Sequence, residues 1–133
     1  MKAVFADSVY FFALLNARDR VHESAIRFAV EATNPTITTA WILTEVADGL
    51  CDRTTRQAVV RLCEILESAP DVEIIPPSLD LFRRGLARYT ERPDKDWSLT
   101  DCISFVVMEE RGLTDALTAD HHFEQAGFTA LLK

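Results

Sequence analysis

Four short runs of strand-forming residues, at 3–6, 36–39, 72–75 and 116–119, stand far apart in the chain, and helical sequence fills the gaps between them. Antiparallel neighbours can be joined by two residues, whereas parallel strands need a crossover of about a dozen or more. No gap between these runs is short enough for a hairpin. The spacing therefore predicts an α/β fold, a three-layer α/β/α arrangement around a mostly parallel sheet. The sheet has four strands, or five if residues 128–132 add an edge.

The intervening segments have helical period. Residues 9–17 and 22–33 come first, the second with Ala25, Ile26, Ala29 and Val30 turned inward. A third helix, 41–51, has Trp41, Ile42, Val46 and Leu50 on its inner face. A fourth, 54–69, carries a stripe of Ala58, Val59, Leu62, Ile65 and Leu66, broad enough for a core or a partner subunit. Ser78 caps a fifth, reaching Tyr89, whose inner face is Leu79, Phe82, Leu86 and Tyr89. Ser98 caps a sixth, which closes at Arg111-Gly112. A short seventh, 121–126, is closed by Gly127.

Two of these helices carry a carboxylate where a hydrophobe belongs. Asp101 shares a stripe with Phe105 and Met108, and Glu45 lies between Trp41, Ile42 and Val46. A buried, unpaired carboxylate is costly, so each needs a hydrogen bond, a cation or a metal. Taken alone, Asp101 is explained by helix capping, and Glu45 by pairing with Arg53 or Arg56. Two more acids change the balance. Asp7 and Asp120 end the first and fourth strands, although Asp7, or Ser8 beside it, also suits the N-cap of the first helix. In open α/β sheets, ligands bind at the carboxyl ends of the strands. Four acids so placed converge on one end of the sheet, with lysine confined to Lys2, Lys95 and Lys133. Like charges in one cleft repel unless protonated or bound to cations. An oxygen-only donor set selects a hard divalent ion, Mg²⁺ or Mn²⁺. Such ions activate water and stabilise a phosphoryl transition state.

Composition sets the outer bounds. With 133 residues, 48% of them apolar, the chain suits one domain, 1–133, with a real core. No apolar run has the length of a membrane span, and the first residues lack a signal peptide's apolar stretch. Cys51, Cys63 and Cys102 lie at helical positions without C-x-x-C spacing. They read as reduced thiols of a cytoplasmic protein, and a zinc site is not expected. The net charge of −7 argues against diffuse attraction to nucleic acid or anionic membrane. One basic cluster stands out, Arg83, Arg84 and Arg88. It is either an ordinary solvated helix face or a contact for substrate phosphates.

The motifs are Val4-Phe5-Ala6-Asp7-Ser8, Thr44-Glu45-Val46, Ser98-Leu99-Thr100-Asp101-Cys102 and Leu117-Thr118-Ala119-Asp120-His121-His122-Phe123, closed by Gly127-Phe128. In their order and spacing the whole chain resembles a PIN-domain protein. More narrowly, it resembles the small VapC-type toxins of bacterial and archaeal toxin–antitoxin pairs. The resemblance implies a Mg²⁺- or Mn²⁺-dependent ribonuclease that cleaves by water attack at phosphorus. It implies Asp7, Glu45, Asp101 and Asp120 as catalytic metal ligands, with Ser8 supporting them through its hydroxyl. It also implies an RNA substrate, a homodimer and an antitoxin partner that blocks the active site. Asp96, His121 and His122 receive no role. Two other folds fit less well. A phosphoacceptor receiver domain expects a second acid near Asp7 and a lysine at a late strand end, and a haloacid-dehalogenase-type phosphatase expects aspartate where Val9 stands. The alternative from a different class is a catalytically silent PIN-like module that binds only RNA or a protein partner. The presence of all four acids counts against it.

Overall fold

Strand β1 (Val4–Ala6) is buried at all three positions, as its uninterrupted apolar sequence requires of a strand covered on both faces. It sits in the middle of a computed structural model that describes residues 1–133. After β1 come α1 (Ser8–Leu15), α2 (His22–Glu31), β2 (Thr36–Thr39), α3 (Ala40–Gly49), α4 (Arg56–Ser68) and β3 (Val72–Ile75). Then follow α5 (Leu79–Glu91), α6 (Leu99–Glu110), β4 (Asp115–Leu117), α7 (His121–Gln125) and β5 (Thr129–Ala130). The five strands are all parallel, in the order β3-β2-β1-β4-β5.

Strand order decides where each helix goes. From β1 to β3 the sheet grows one way, and from β3 to β5 the chain steps back the other way. Crossovers between parallel strands are right-handed, so α1–α4 cover one face and α5–α7 the other. The packing agrees: α1 meets α2 and α3, α3 meets α4, and α6 meets both α5 and α7. The direction of growth reverses beside β1, where open α/β sheets form a ligand crevice. Register then sets the neighbours of Asp7. β1 pairs with β2 through Val4–Thr36 and Phe5–Ile37, and with β4 through Phe5–Ala116 and Ala6–Leu117. Carried on past Ala6, these registers bring Asp7 level with Thr39 on one side and Thr118 on the other.

A chain of aromatic rings ties this edge to the core. Phe5 on β1 meets Phe123 on α7 at 6.3 Å between centroids, and Phe123 meets Phe105 on α6 edge-on at 5.0 Å. Phe105 in turn meets Trp97 edge-on at 5.1 Å, and all four rings are buried. Phe5 is two residues from Asp7, Phe105 one helical turn from Asp101, and Phe123 three residues from Asp120. Core packing thus fixes the backbone beneath three of the expected site acids.

Two helices turn outward a face that their period assigns inward. On α5 the buried residues are Leu81 and Gly85, while Leu79 (60% exposed), Phe82, Leu86 and Tyr89 (50%) face out. Gly85 supplies the reason. It lets α5 approach α6 so closely that a β-carbon there would come within 2.3 Å of Ile103 Cγ1 and 3.3 Å of its backbone. Arg84 and Arg88 pair with Glu110 and Glu109 on α6, so the inner side of α5 is a close backbone contact beside ion pairs. The apolar stripe is left outside. On α2 only Ala25 is buried; Ile26, Ala29 and Val30 are exposed. Phe28 makes the inward contact instead, edge-on against Tyr10.

Gly85→Ala is expected to lower stability. Alanine gains about 1 kcal/mol of helix propensity, but overpacking against a neighbouring backbone costs about 1–3 kcal/mol. The urea midpoint should fall. A rise would show that α5 has room to move away from α6.

Candidate active site

Asp7 follows β1 directly and occupies the N-cap position of α1, yet its side chain does not cap the helix. It is 3% exposed, and its Oδ2 accepts a hydrogen bond from Thr118 Oγ1 at 2.8 Å. The β1–β4 register sets up this contact. Burial drives the Asp7 carboxyl up to about 7. The Thr118 hydroxyl opposes that rise, Asp101 adds to it, the Ser8 backbone N–H opposes it, and Glu45 adds a last upward push. Ser8 itself opens α1 and is buried.

Asp101 completes a reciprocal cap at the start of α6. Ser98 Oγ accepts from the Asp101 N–H at 3.0 Å, and Asp101 Oδ2 accepts from the Ser98 N–H at 3.2 Å. The cap does not exhaust the side chain, because Oδ2 also lies 3.1 Å from His122 Nδ1. Burial raises the Asp101 carboxyl above its ordinary range; the Ser98 N–H lowers it, Asp120 raises it, and His122 lowers it. Helix capping and membership of the acid cluster are therefore both true of Asp101.

Asp120 arrives by a different route from the one its sequence position suggests. β4 ends at Leu117 rather than at residue 119, so Asp120 is not the end of a strand. Past Leu117, the Thr118 hydroxyl turns to Asp7, and the same oxygen accepts the Asp120 N–H at 3.0 Å. Asp120 becomes the N-cap of α7, its Oδ1 accepting from the His122 N–H at 2.9 Å. Glu45 comes from the opposite helical layer. Helix α3 starts level with Asp7, capped by Thr39 Oγ1, which accepts from the Ile42 N–H at 3.1 Å. Glu45 is half-buried and forms no salt bridge; Arg56 donates to the Cys51 carbonyl oxygen instead.

The four acids are thus brought to one edge of the sheet. Thr118 links Asp7 to Asp120, and His122 Nδ1 stands between Asp101 Oδ2 and Asp120 Oδ1, at 3.1 and 3.4 Å. Thr118 and His122 belong to the 117–123 motif but receive no role from the sequence. The signal for Thr118 is its place two residues before Asp120 and level with Asp7, which is visible only once the strands are in register. His121 is exposed, with Nδ1 3.6 Å from Asp120 Oδ1, and ligand atoms of Asp120, His121 and His122 lie within 4.8 Å of one another. Asp96 is exposed.

The arginines do not form the free basic face that their clustering suggests. Arg84 is paired with Asp80 at 3.0 Å and Glu110 at 3.1 Å, and Arg88 with Glu109. Neighbouring acids on α5 and α6 cancel their charge. Arg83 is exposed and forms no ion pair. At the acid cluster the charge balance is the reverse. Its donors are hard oxygens, no arginine or lysine pairs with them, and Asp7 and Asp101 both resist ionisation. Oxygen donors of this kind are chemically suited to a hard divalent cation.

The PIN-domain family model matches residues 4–129. The chain belongs to the PIN-domain family. It is 29% identical over 126 residues to the 23S rRNA-specific endonuclease VapC20 of Mycobacterium tuberculosis, covering 94% of this chain and 95% of that protein. The crystal structure of M. tuberculosis VapC20, a toxin that cleaves the sarcin–ricin loop, matches with a TM-score of 0.85 at 26% identity, over 95% of this chain and 96% of that one. The fold also matches FitAcB from Neisseria gonorrhoeae, with a TM-score of 0.65 at 15% identity over 96% and 94% of the two chains.

Without metal, this PIN domain should lose stability as pH rises. The folded pKa of Asp7, about 7, lies above its ordinary 3.8. Its contribution is therefore full below about pH 4 and lost as pH passes about 7. Asp101 is shifted in the same direction. Asp7 alone accounts for a loss on the order of 4 kcal/mol. Thermal melts in EDTA should show Tm falling across that window, and Asp7→Asn should flatten the fall. Mn²⁺ should offset it at neutral pH, because metal binds only the folded cluster. A Tm that climbs with pH in EDTA would rule out a neutral, buried Asp7.

Proposed function

We propose that this chain is a divalent-metal-dependent endoribonuclease, acting through residues 1–133 as one PIN-like unit, and the toxin of a toxin–antitoxin pair. The observation that carries the reading is the state of Asp7. It is 3% exposed, held up to about 7, and faced by a hydroxyl and other acids rather than by a cationic side chain. A carboxylate kept only for structure would be paired. This supports Asp7, Glu45, Asp101 and Asp120 as the residues that hold Mg²⁺ or Mn²⁺, with the Ser8 hydroxyl beside Asp7.

When bound, the cation supplies a Lewis acid for the scissile phosphate and lowers the pKa of water. The chain's own residues orient the donors. Thr118 holds Asp7 by Oδ2, the Ser98 cap holds Asp101, and the His122 N–H holds Asp120. Because these contacts stand on packed elements, the carboxylates need not reorganise as charge develops at phosphorus. The specificity of VapC20 makes a ribosomal stem–loop the first RNA to test. Of the three clustered arginines, Arg83 is the one most available to its phosphates; Arg84 and Arg88 contribute only by releasing Asp80, Glu110 and Glu109. A homodimer and an antitoxin belong to the same reading. The outward residues of α5, with Val60 and Ile65 of α4, offer apolar surface for them. No helix is long and apolar enough to cross a membrane, and we assign the RNA-cutting role to the cytoplasm.

The test is RNA cleavage in Mn²⁺, Mg²⁺ and EDTA, which should require metal. Asp101→Asn is the sharpest variant. Asparagine retains an oxygen for the Ser98 N–H, so α6 keeps its cap and only charge is removed. Cleavage should drop at least roughly a hundredfold, the scale of one lost charge-stabilising group. The melting temperature in EDTA should stay level or rise, because repulsion is relieved. A variant that folds normally and cuts at the wild-type rate would falsify the metal-ligand assignment.

A further inference from the structure

A cleft of about 900 Å³ opens next to the acid cluster. Tyr89, Arg92, Lys95, Asp96 and Trp97 line it, and it extends to Ser98 and Leu99, at the start of α6. Ser98 is hydrogen-bonded to Asp101 in both directions, so the cleft and the acids share a wall. That wall is firmly built. Trp97 is buried, its indole N–H donates to Gln125 Oε1 at 3.0 Å, and Phe105 packs against it edge-on. Arg92 lies 5.3 Å above the Trp97 ring and donates two hydrogen bonds to Asp94, each 3.0 Å. Arg92 and Trp97 are therefore used in making the wall.

Among the lining side chains, Tyr89, Lys95 and Asp96 form no hydrogen bond or salt bridge, and the first two suit a nucleotide. Tyr89 is half exposed at the end of α5 and its phenol makes no hydrogen bond. Lys95 is half-buried and forms no salt bridge, in a chain of net charge −7. An aromatic face and a cation beside a phosphodiester-cutting site are what single-stranded RNA uses, with the base stacked and the phosphate paired. The volume falls within the range of small-ligand pockets and is ample for a nucleotide. Tyr89 also ends the exposed stripe of Leu79, Phe82 and Leu86. A protein lying on that stripe would leave Lys95 and the cleft unexplained, which favours RNA.

We infer that this cleft is a nucleotide subsite: Tyr89 stacks a base next to the scissile phosphate, and Lys95 pairs with a phosphate of the same strand. The inference rests on the ribonuclease reading and adds to it the residues that select where the strand is cut. The probes are a labelled sarcin–ricin-loop hairpin of 23S rRNA and a mixed-sequence single-stranded oligoribonucleotide. Binding is measured in the Asp101→Asn background, and cleavage in the otherwise native chain. Tyr89→Ala should weaken binding at least about fivefold, the lower end of one stacked base, and Tyr89→Phe should restore it. Lys95→Ala should flatten the slope of log affinity against log salt by about 0.7. For cleavage, both alanine variants should raise KM more than they lower kcat.

Unchanged affinity in Tyr89→Ala, an unchanged salt slope in Lys95→Ala, or no binding of either RNA overturns the subsite. Unchanged RNA binding together with a smaller oligomer in Tyr89→Ala assigns the ring to a protein contact and also overturns it. The two readings fail separately. A chain that binds RNA through Tyr89 and Lys95 but never cuts it keeps the subsite and loses the nuclease. One that cuts equally well in all variants keeps the nuclease and loses the subsite.

Discussion

The active edge depends on one carboxylate placed where the central strand ends and water does not reach. Asp7 is held there by the strand register, since β1 delivers it and β4 delivers Thr118 level with it. An ionised carboxylate in that position is unfavourable unless a positive partner arrives. The chain supplies none. It supplies Asp101 and Glu45, which make the problem worse. A fold that retains such an arrangement stores repulsion at one edge, which the proposed cation would relieve, so that stability and function would depend on the same ion.

The acids are also structural parts. Asp101 closes the cap of α6, and Asp120 caps α7. Each such bond fixes a donor oxygen on a helix that is itself anchored by a buried ring, Phe105 or Phe123. This economy has a consequence for substitution. Alanine at 120 removes the cap of α7 along with a charge, at about 0.5–2 kcal/mol for the cap, and alanine at 101 removes only the return half of the Ser98 capping box along with a charge, whereas asparagine separates the two roles. Thr118 is subject to the same constraint from the other side. Its single hydroxyl donates to Asp7 and accepts from the Asp120 N–H, so valine there would take away the only side-chain hydrogen bond to a buried carboxyl and leave a backbone N–H unpaired.

Away from the active edge, α5 has its apolar stripe in water and its arginines against α6. Gly85 makes this possible, because the helices touch along backbone rather than through large side chains. The same close contact orients the end of α5, and with it Tyr89, toward the loop that leads into Asp101. The outer surface of this helix and the cleft at its end are two distinct features, one apolar and one mixed aromatic and charged.

The sequence by itself determined the alternation of strands and helices, because parallel crossovers need long connections and hairpins do not. It determined the caps at Ser78 and Ser98, which depend only on residues three positions away. It also singled out the four acids as candidates, since an acid on an apolar stripe or next to a strand is visible in a local window, although Asp120 stands at the cap of α7 and not at the end of a strand. The tertiary structure alone decided the rest. Period locates a stripe on α5 and α2 but carries no sign, so which side faces in was settled by Gly85, Phe28 and the neighbours they meet. Whether Arg84 and Arg88 are free was settled by Glu110 and Glu109, far along the chain. Thr118 reaches Asp7 across 111 residues of sequence. Contacts of that span follow from strand order and register, which are properties of the whole chain and of no local window within it.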